Sequence, residues 1–377
     1  MFDAAKVSDL NIPGYEGVYR AEILPGIVSV IAVHDTSRGP ALGGCRMVSY
    51  PNESEALTDV LRLSRGMTFK NAIADLPLGG GKSVVICNPR VSGEERERVL
   101  EEFGKFLAWV NRDGDFYYSA EDMNTTVPDM QVVRRHTRHI TGTRIDPSPY
   151  TAWGVFAAIE FSTDYFAMDL FEGNRTLEGK KVLIQGLGKV GRDLLKPLHQ
   201  AGARLYVTDI RTDALDQAVR SFPGTEIVAP EGLLDAEVDI FVPCARGEVV
   251  TQRNVDRLKF KIICGSANNQ LQNALVGTEL HKRGIVYCPD YVASMGGVCS
   301  IQYVEIENLS NEVALEKIQK TVRKMLGLTF RTALKNNLAF NKSVDHVVKK
   351  NVWGCSVPNL DFANSELFPL TYTAEPI

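Results

Sequence analysis

Apolar residues recur along this chain in two rhythms, and each predicts a different element. GIVSVIAVHD (26–35), KSVVIC (82–87) and DFYYS (115–119) gather β-branched and aromatic residues into short runs that read as strands. ESEALTDVLRLSRGM (53–67) and EERERVLEEFGKFLAWV (94–110) instead carry apolar residues at three- and four-residue spacing, as amphipathic helices do. The chain up to residue 147 therefore predicts a mixed α/β unit. The stretch TGTRIDPSPYTAWG (141–154) reads as a hinge, because Pro147 and Pro149 oppose a continuous helix through it. Beyond it the alternation is cleaner. KKVLIQ (180–185), ARLYVTD (203–209), VDIFVPC (238–244), KFKIICG (259–265) and IVYCPD (285–290) are apolar runs split by helical or loop segments, the pattern of buried parallel strands in a doubly wound sheet. A long amphipathic helix is predicted from about Asn311 to Asn337 and a second over NKSVDHVVKK (341–350); the tail from Trp353 has turn residues and no period.

Composition changes this picture little. The chain has 377 residues, enough for two domains with cores of their own. With 44% hydrophobic and 23% charged residues and a net charge of −4, nothing global favours nucleic acid or a membrane. The start, MFDAAKVSDLNIPGYEG, lacks a basic segment followed by an apolar one, and no later run is long and apolar enough to span a bilayer. Seven scattered cysteines without a C-x-x-C pair fit reduced thiols, so a cytoplasmic protein is expected.

Two glycine clusters carry candidate chemistry. LPLGGGKS (76–83) ends like a nucleotide-phosphate loop, but Leu76 stands where that loop needs a glycine. GLGKVG (186–191) fits the dinucleotide pattern better. A strand precedes it, a helical stretch follows, and the next strand ends in Asp209. Gly186 permits the tight turn, Gly188 lets backbone approach a pyrophosphate, Gly191 allows close packing, and the helix N-terminus faces the anion. Asp209 would accept hydrogen bonds from ribose hydroxyls and repel a 2′-phosphate, which favours NAD over NADP, although Arg211 softens that preference.

Lys70 and Lys82 lie in apolar, glycine-containing surroundings around what reads as a glycine-rich turn; two solvated surface lysines are the plain alternative. Glu121 and Asp122 follow a strand, a common place for a catalytic carboxylate, and a helix N-cap is the plain alternative there. ALGGCRM (41–47), RGMTFKNA with LGGGK (65–82), SAED (119–122), DPSPYTAWGV (146–155), GLGKVG, VTDI (207–210), GSANNQL (265–271) and PDYVASMGGV (289–298) occur together and in order. In this the chain resembles the glutamate/leucine/phenylalanine/valine dehydrogenase family, closest to its leucine and valine members.

The resemblance implies an N-terminal α/β substrate and oligomerisation domain over 1–147, with 331–377 packing back on it. It also implies a Rossmann-type NAD-binding domain over 148–330, with a cleft between the two that the hinge would close. Lys70 would bind the substrate α-carboxylate, helped by backbone at Gly43 and Gly44, with Met67 nearby. Lys82 would be the general base that activates water, and Asp122 would hold the substrate amino group and move protons. Leu42, Ala120, Val298 and Ile301, with Thr141, would face the substrate and favour a branched aliphatic side chain, with phenylalanine the alternative. Gly186, Leu187, Gly188, Lys189, Val190, Gly191, Asp209, Ile210, Cys244, Ala245, Asn268 and Asn269 would hold NAD. The implied partners are an L-amino acid or 2-oxo acid and ammonium, with the chain a homo-oligomer.

Physical chemistry explains the residue types. A lysine at its reference pKa is a poor base, and bringing one near neutrality takes roughly 3 pKa units, about 4 kcal/mol. Burial beside a second ammonium pushes that way. Gly79, Gly80 and Gly81 are expected to make room for the substrate's backbone. Asp146, Met123 with Asn124, and Arg246 depart from the family's usual residues and bear on substrate range and cofactor affinity. His136 and His139 read as a solvated basic face and Cys45 as packing, with no metal expected. The competing readings are a 2-hydroxy-acid dehydrogenase, which would need a histidine near these motifs, and a dinucleotide sensor without turnover.

Overall fold

The computed structural model describes residues 2–245 and 247–353, so Arg246 and the tail beyond Trp353 lie outside the described residues. Two compact units emerge. One is the chain up to Pro147 with Val298–Asn311; the other is Ser148–Gly297 with the chain from Glu312 onward. No helix among the described residues is long and apolar enough to cross a membrane.

The first unit is built on a sheet of β1 (Val7–Asp9), β2 (Gly17–Leu24), β3 (Ile27–Asp35), β4 (Ala41–Val48), β5 (Gly79–Ile86) and β6 (Tyr117–Glu121), ordered β1-β2-β3-β5-β4-β6. β4 runs parallel to both β5 and β6, while β3 is antiparallel to β5. Helices α1 (Glu53–Ile73), α2 (Gly93–Val110) and α3 (Val127–Arg134) complete it. Both faces of the sheet are covered, which is why β3 reads as an unbroken apolar run. Ile31 and Val33 pack with Leu100, Phe103 and Leu107 of α2, while Val28, Val30 and Ala32 pack with Ala56 and Val60 of α1.

The structure corrects the reading of the glycines at 79–81. They are strand, not turn, and α1 continues past Met67 to Ile73, so Lys70 rides on a helix. None of the three has a positive φ. What they supply is room for the protein itself, not for substrate. A Cβ at Gly79 would overlap the Asp35 carbonyl, one at Gly80 would overlap Thr68 of α1, and one at Gly81 would stand 2.5 Å from the Tyr117 ring. On β4, a Cβ at Gly43 would overlap the Gly81 carbonyl. The two glycines of β4 also hid that strand from a reading based on β-branched content.

The second unit opens with α4 (Ser148–Tyr165), whose second residue is Pro149; a proline costs little in a first turn. It continues through α5 (Ala167–Leu170), β7 (Lys181–Gln185), α6 (Lys189–Gln200), β8 (Arg204–Thr208), α7 (Thr212–Ser221), β9 (Glu226–Ile227), β10 (Ile240–Pro243), β11 (Ile262–Ile263), α8 (Ala274–Lys282), β12 (Val286–Tyr287) and α9 (Asp290–Ala293). The sheet, β9-β8-β7-β10-β11-β12, is parallel throughout. Counted from β7 this is the doubly wound dinucleotide-binding order. A short helix α10 (Gly296–Ser300) precedes α11 (Asn311–Asn336) and α12 (Phe340–Trp353).

The segment from residue 331 does not return to the first unit where it is described. Phe330 and Phe340 meet Phe166 edge to face, at 5.0 and 5.8 Å between ring centres, and Tyr291 donates to Asp345 at 3.1 Å. These aromatic faces find their apolar partners on the second unit, which is why α12 stays there.

Replacing Gly43 with alanine forces a Cβ into backbone that cannot move independently. Gly43→Ala is expected to destabilise the first unit by roughly 1–3 kcal/mol, seen as a lower denaturant midpoint by circular dichroism. An unchanged midpoint would mean that β4 and β5 can part without cost.

Candidate active site

The reactive groups sit where β4, β5 and β6 meet α1. On β4, Cys45 and Met47 enter the core beneath α2, so Arg46 between them points to the α1 face. On β5, Val84 packs on the α1 side and Val85 on the α2 side, which puts Lys82 on the same face as Arg46. Both meet the carboxylate that follows β6. Lys82 Nζ lies 2.6 Å from Asp122 Oδ2, and Arg46 Nε lies 2.7 Å from the same oxygen. Arg46 Nη1 reaches Asp59 of α1 at 3.1 Å, and Tyr50 donates to that carboxylate at 2.7 Å. Lys82 is buried, and Arg46 and Asp122 are partly so.

A tight turn holds Asp122. Its N–H donates to Thr125 Oγ1 at 2.9 Å, and that hydroxyl donates to the Cys45 carbonyl at 2.9 Å. Asn124 takes φ +62° there and donates to the Met47 carbonyl at 3.0 Å, so the unusual residue suits its left-handed position. Burial works against the Asp122 charge, yet the charges and hydrogen bonds of Lys82 and Arg46 overcome it and hold the carboxyl well below the usual carboxylate range. Arg46 escaped the sequence reading because nothing in ALGGCRM distinguishes it from a surface arginine. Only the register of β4 against β6, Cys45 opposite Glu121, brings it to Asp122.

Other predicted residues lie on the same strands or in the same unit. Leu42, Gly43 and Gly44 lie on β4 opposite Tyr118, Ser119 and Ala120 of β6. A Cβ at Gly44 would stand 2.6 Å from Asp122 Cβ, and one at Gly43 would stand 3.3 Å from Met67 Cγ. Thr141 follows a bridge from Ile140 to Ser119, and its N–H donates to the Ser119 carbonyl at 2.8 Å. Val298 and Ile301 are buried in the same unit. Lys70 is half-buried on the last turn of α1. The charge set against the Lys82 ammonium is the Asp122 carboxylate. Cys45 is fully buried and burial pushes its thiol up to about 12, so it is packing rather than a nucleophile. His139 is buried too, bonded to Asp115 at 2.8 Å, and not part of a solvated helix face. No cluster suited to a metal occurs among the described residues.

In the second unit, three glycines serve three purposes between β7 and α6. Gly186 turns at φ +91°, and a Cβ there would stand 2.7 Å from Ala245 Cβ. A Cβ at Gly191 would overlap the Gly186 carbonyl, so helix and loop touch. Gly188 caps α6 and has nothing within 4 Å of its missing Cβ. Open space at a helix N-terminus fits the approach of a pyrophosphate. Leu187 is buried, and Lys189 and Val190 open α6. Asp209 binds its own chain, with Oδ2 accepting the Leu187 N–H at 2.6 Å and Oδ1 the Arg211 N–H at 2.8 Å. Burial opposes its charge, but these bonds and Arg211 hold its carboxyl below the usual range. Ile210 beside it is 92% exposed, a large apolar side chain left to solvent. Cys244 and Ala245 follow β10, and Asn268 and Asn269 follow β11, so all lie beyond the carboxyl ends of the parallel strands.

A carboxyl pKa depressed by folding stabilises the fold above its unfolded value, about 4, and the contribution fades as pH falls below that toward the folded value. Asp122→Asn leaves Lys82 and Arg46 facing an amide, and should cost roughly 3–5 kcal/mol at pH 7. Denaturant midpoints should show the gap from the parent narrowing below about pH 4. A gap independent of pH would show that the carboxylate charge is not what matters.

Residues 21–139 match the family model described as Glu/Leu/Phe/Val dehydrogenase, dimerisation domain, and residues 206–356 match that described as Glutamate/Leucine/Phenylalanine/Valine dehydrogenase. Leucine dehydrogenase of Thermoactinomyces intermedius is 40% identical over 333 residues, 87% of each chain. Phenylalanine dehydrogenase of Lysinibacillus sphaericus is 38% identical over 327 residues, 84% of this chain and 83% of that one. The crystal structure of L-tryptophan dehydrogenase from Nostoc punctiforme superposes with a TM-score of 0.77 at 34% identity, over 90% of this chain and 96% of that one. The chain belongs to the glutamate/leucine/phenylalanine/valine dehydrogenase family of amino acid dehydrogenases.

Proposed function

We propose that the protein oxidatively deaminates a branched-chain aliphatic L-amino acid to its 2-oxo acid and ammonium with NAD, and runs the reverse reaction. The observation that carries this reading is the buried Lys82–Asp122 pair, 2.6 Å apart, beside two glycines of β4. Lys70 would hold the substrate carboxylate, with backbone at Gly43 and Gly44. The substrate ammonium would compete with Lys82 for Asp122, which then takes the proton the amine must lose. Lys82, displaced from its counter-ion, would release its own proton to solvent and then, as the free amine, take one from the water that attacks the imine carbon. Arg46 holds the Asp122 carboxyl in place while it takes and returns that proton.

The cradle of Gly186, Gly188 and Gly191 fits a dinucleotide, with Ile210, Cys244, Ala245, Asn268 and Asn269 at the same strand ends. When bound, its nicotinamide would accept hydride from the substrate Cα. Asp209 Oδ1 accepts from both the N–H and Nε of Arg211, while Oδ2 keeps a lone pair after its bond from Leu187 and could accept from a ribose hydroxyl. The apolar Leu42, Ala120, Val298 and Ile301 suit an aliphatic side chain better than a carboxylate or amide. The dimerisation domain in the matched family model supports a homo-oligomer built through the first unit.

With a panel of L-amino acids at alkaline pH, leucine, valine and isoleucine should give the fastest NADH formation. Lys82→Ala should cut turnover by roughly 10²–10⁴ while NAD titration stays near that of the parent. Surviving activity would remove Lys82 as the base, and a preference for phenylalanine or tryptophan would overturn the aliphatic reading. Separately, Asp209→Ser should narrow the ratio of kcat/KM between NAD and NADP. A ratio that does not move would exclude Asp209 as the ribose ligand.

A further inference from the structure

Val298–Asn311 belongs to the first unit although its sequence neighbours on both sides belong to the second. It contains a π-helical turn, Ile301–Ile306, a rare conformation that collects at functional sites. From that turn Glu305 meets the loop after Thr141. Its Oε2 accepts the Gly142 N–H at 2.7 Å, and its Oε1 accepts those of Arg144 at 2.9 Å and Ile145 at 3.2 Å. Arg144 returns the contact, donating from Nη2 to the carbonyls of Val304 at 3.2 Å and Glu305 at 2.7 Å. The guanidinium thus caps carbonyls at the end of the turn while the carboxylate fills a concave set of N–H groups.

Gly142 stands at the junction this clamp creates. It takes φ +68°, open to glycine at little cost, and a Cβ there would lie 3.6 Å from Ala120 Cβ and 3.7 Å from Ile301 Cδ1. Ala120, Thr141 and Ile301 come from three separate stretches of chain, and Glu305 binds the second to the third. We propose that Glu305 is a positioning residue: it sets how closely Gly142 and Ile301 approach Ala120, and through them which amino-acid side chain the enzyme accepts. The assignment rests on the reading above that these residues face the substrate.

The consequence follows from acceptor count. A carboxylate offers both oxygens to the loop, a glutamine only one, and an alanine none. Glu305→Ala and Glu305→Gln are compared with the parent using L-leucine, L-valine and L-phenylalanine, with KM for NAD and the denaturant midpoint measured alongside. For Glu305→Ala, KM for the preferred amino acid should rise roughly 10- to 100-fold with a smaller change in kcat. The leucine-to-phenylalanine ratio of kcat/KM should shift at least about fivefold, and KM for NAD should stay within about twofold. Glu305→Gln should fall between parent and alanine. Unchanged amino-acid KM and substrate ratio in an active Glu305→Ala overturns the inference alone. So does a parallel rise in KM for NAD with a lower midpoint, which would mark general loosening. A parent that turns over no L-amino acid sinks the functional reading and this inference with it.

Discussion

The site depends on how closely β4 and β5 approach each other and α1. Gly43 lets β4 meet the Gly81 carbonyl of β5 and Gly80 lets β5 meet Thr68 of α1, while Gly44, Gly79 and Gly81 make the same room for Asp122, the Asp35 carbonyl and the Tyr117 ring. That closeness encloses Lys82 within the protein. A buried ammonium is costly unless a counter-charge meets it, and Asp122 does so at 2.6 Å. Arg46 then links Asp122 to Asp59 and Tyr50, so that carboxylate is tied to α1 as well as to the sheet.

Stability alone does not explain such a network. A buried ion pair stabilises a fold little better than apolar side chains of the same shape, because desolvation offsets most of the attraction. What it does supply is a pair of opposite charges held in fixed geometry, and a preorganised pair leaves little to rearrange when a charged ligand meets it.

Glycine has opposite uses in the two units. In the first, the missing Cβ is replaced by the protein's own atoms, and the residue is needed even though its backbone angles are ordinary. In the second, Gly188 faces open space at the start of α6, where a ligand can come close. The same letters, G-G-G-K and G-x-G-x-x-G, therefore carry different physics. Both were read from sequence as room for a ligand, and only the second has that room.

Much of the molecule was nonetheless legible in its residues. Spacing of apolar positions determined α1, α2, α11 and, in the second unit, β7, β8, β10, β11 and β12, because period and burial are local properties of the chain, whereas the two exposed residues of β9 left no such mark. The ordered motifs determined the family, and with it Lys82 and Asp122 as the pair to look for. Packing between elements distant in sequence decided the rest. β4 was hidden because its glycines lower strand propensity while pairing on both sides enforces it, and nothing in the local sequence sets Arg46 or Glu305 apart from surface charges. The described part of the C-terminal segment went to the second unit because Phe330 and Phe340 found Phe166 there. Each of these outcomes turns on a partner dozens of residues or more away, and a linear pattern records a residue's own preference but not the neighbour that overrides it.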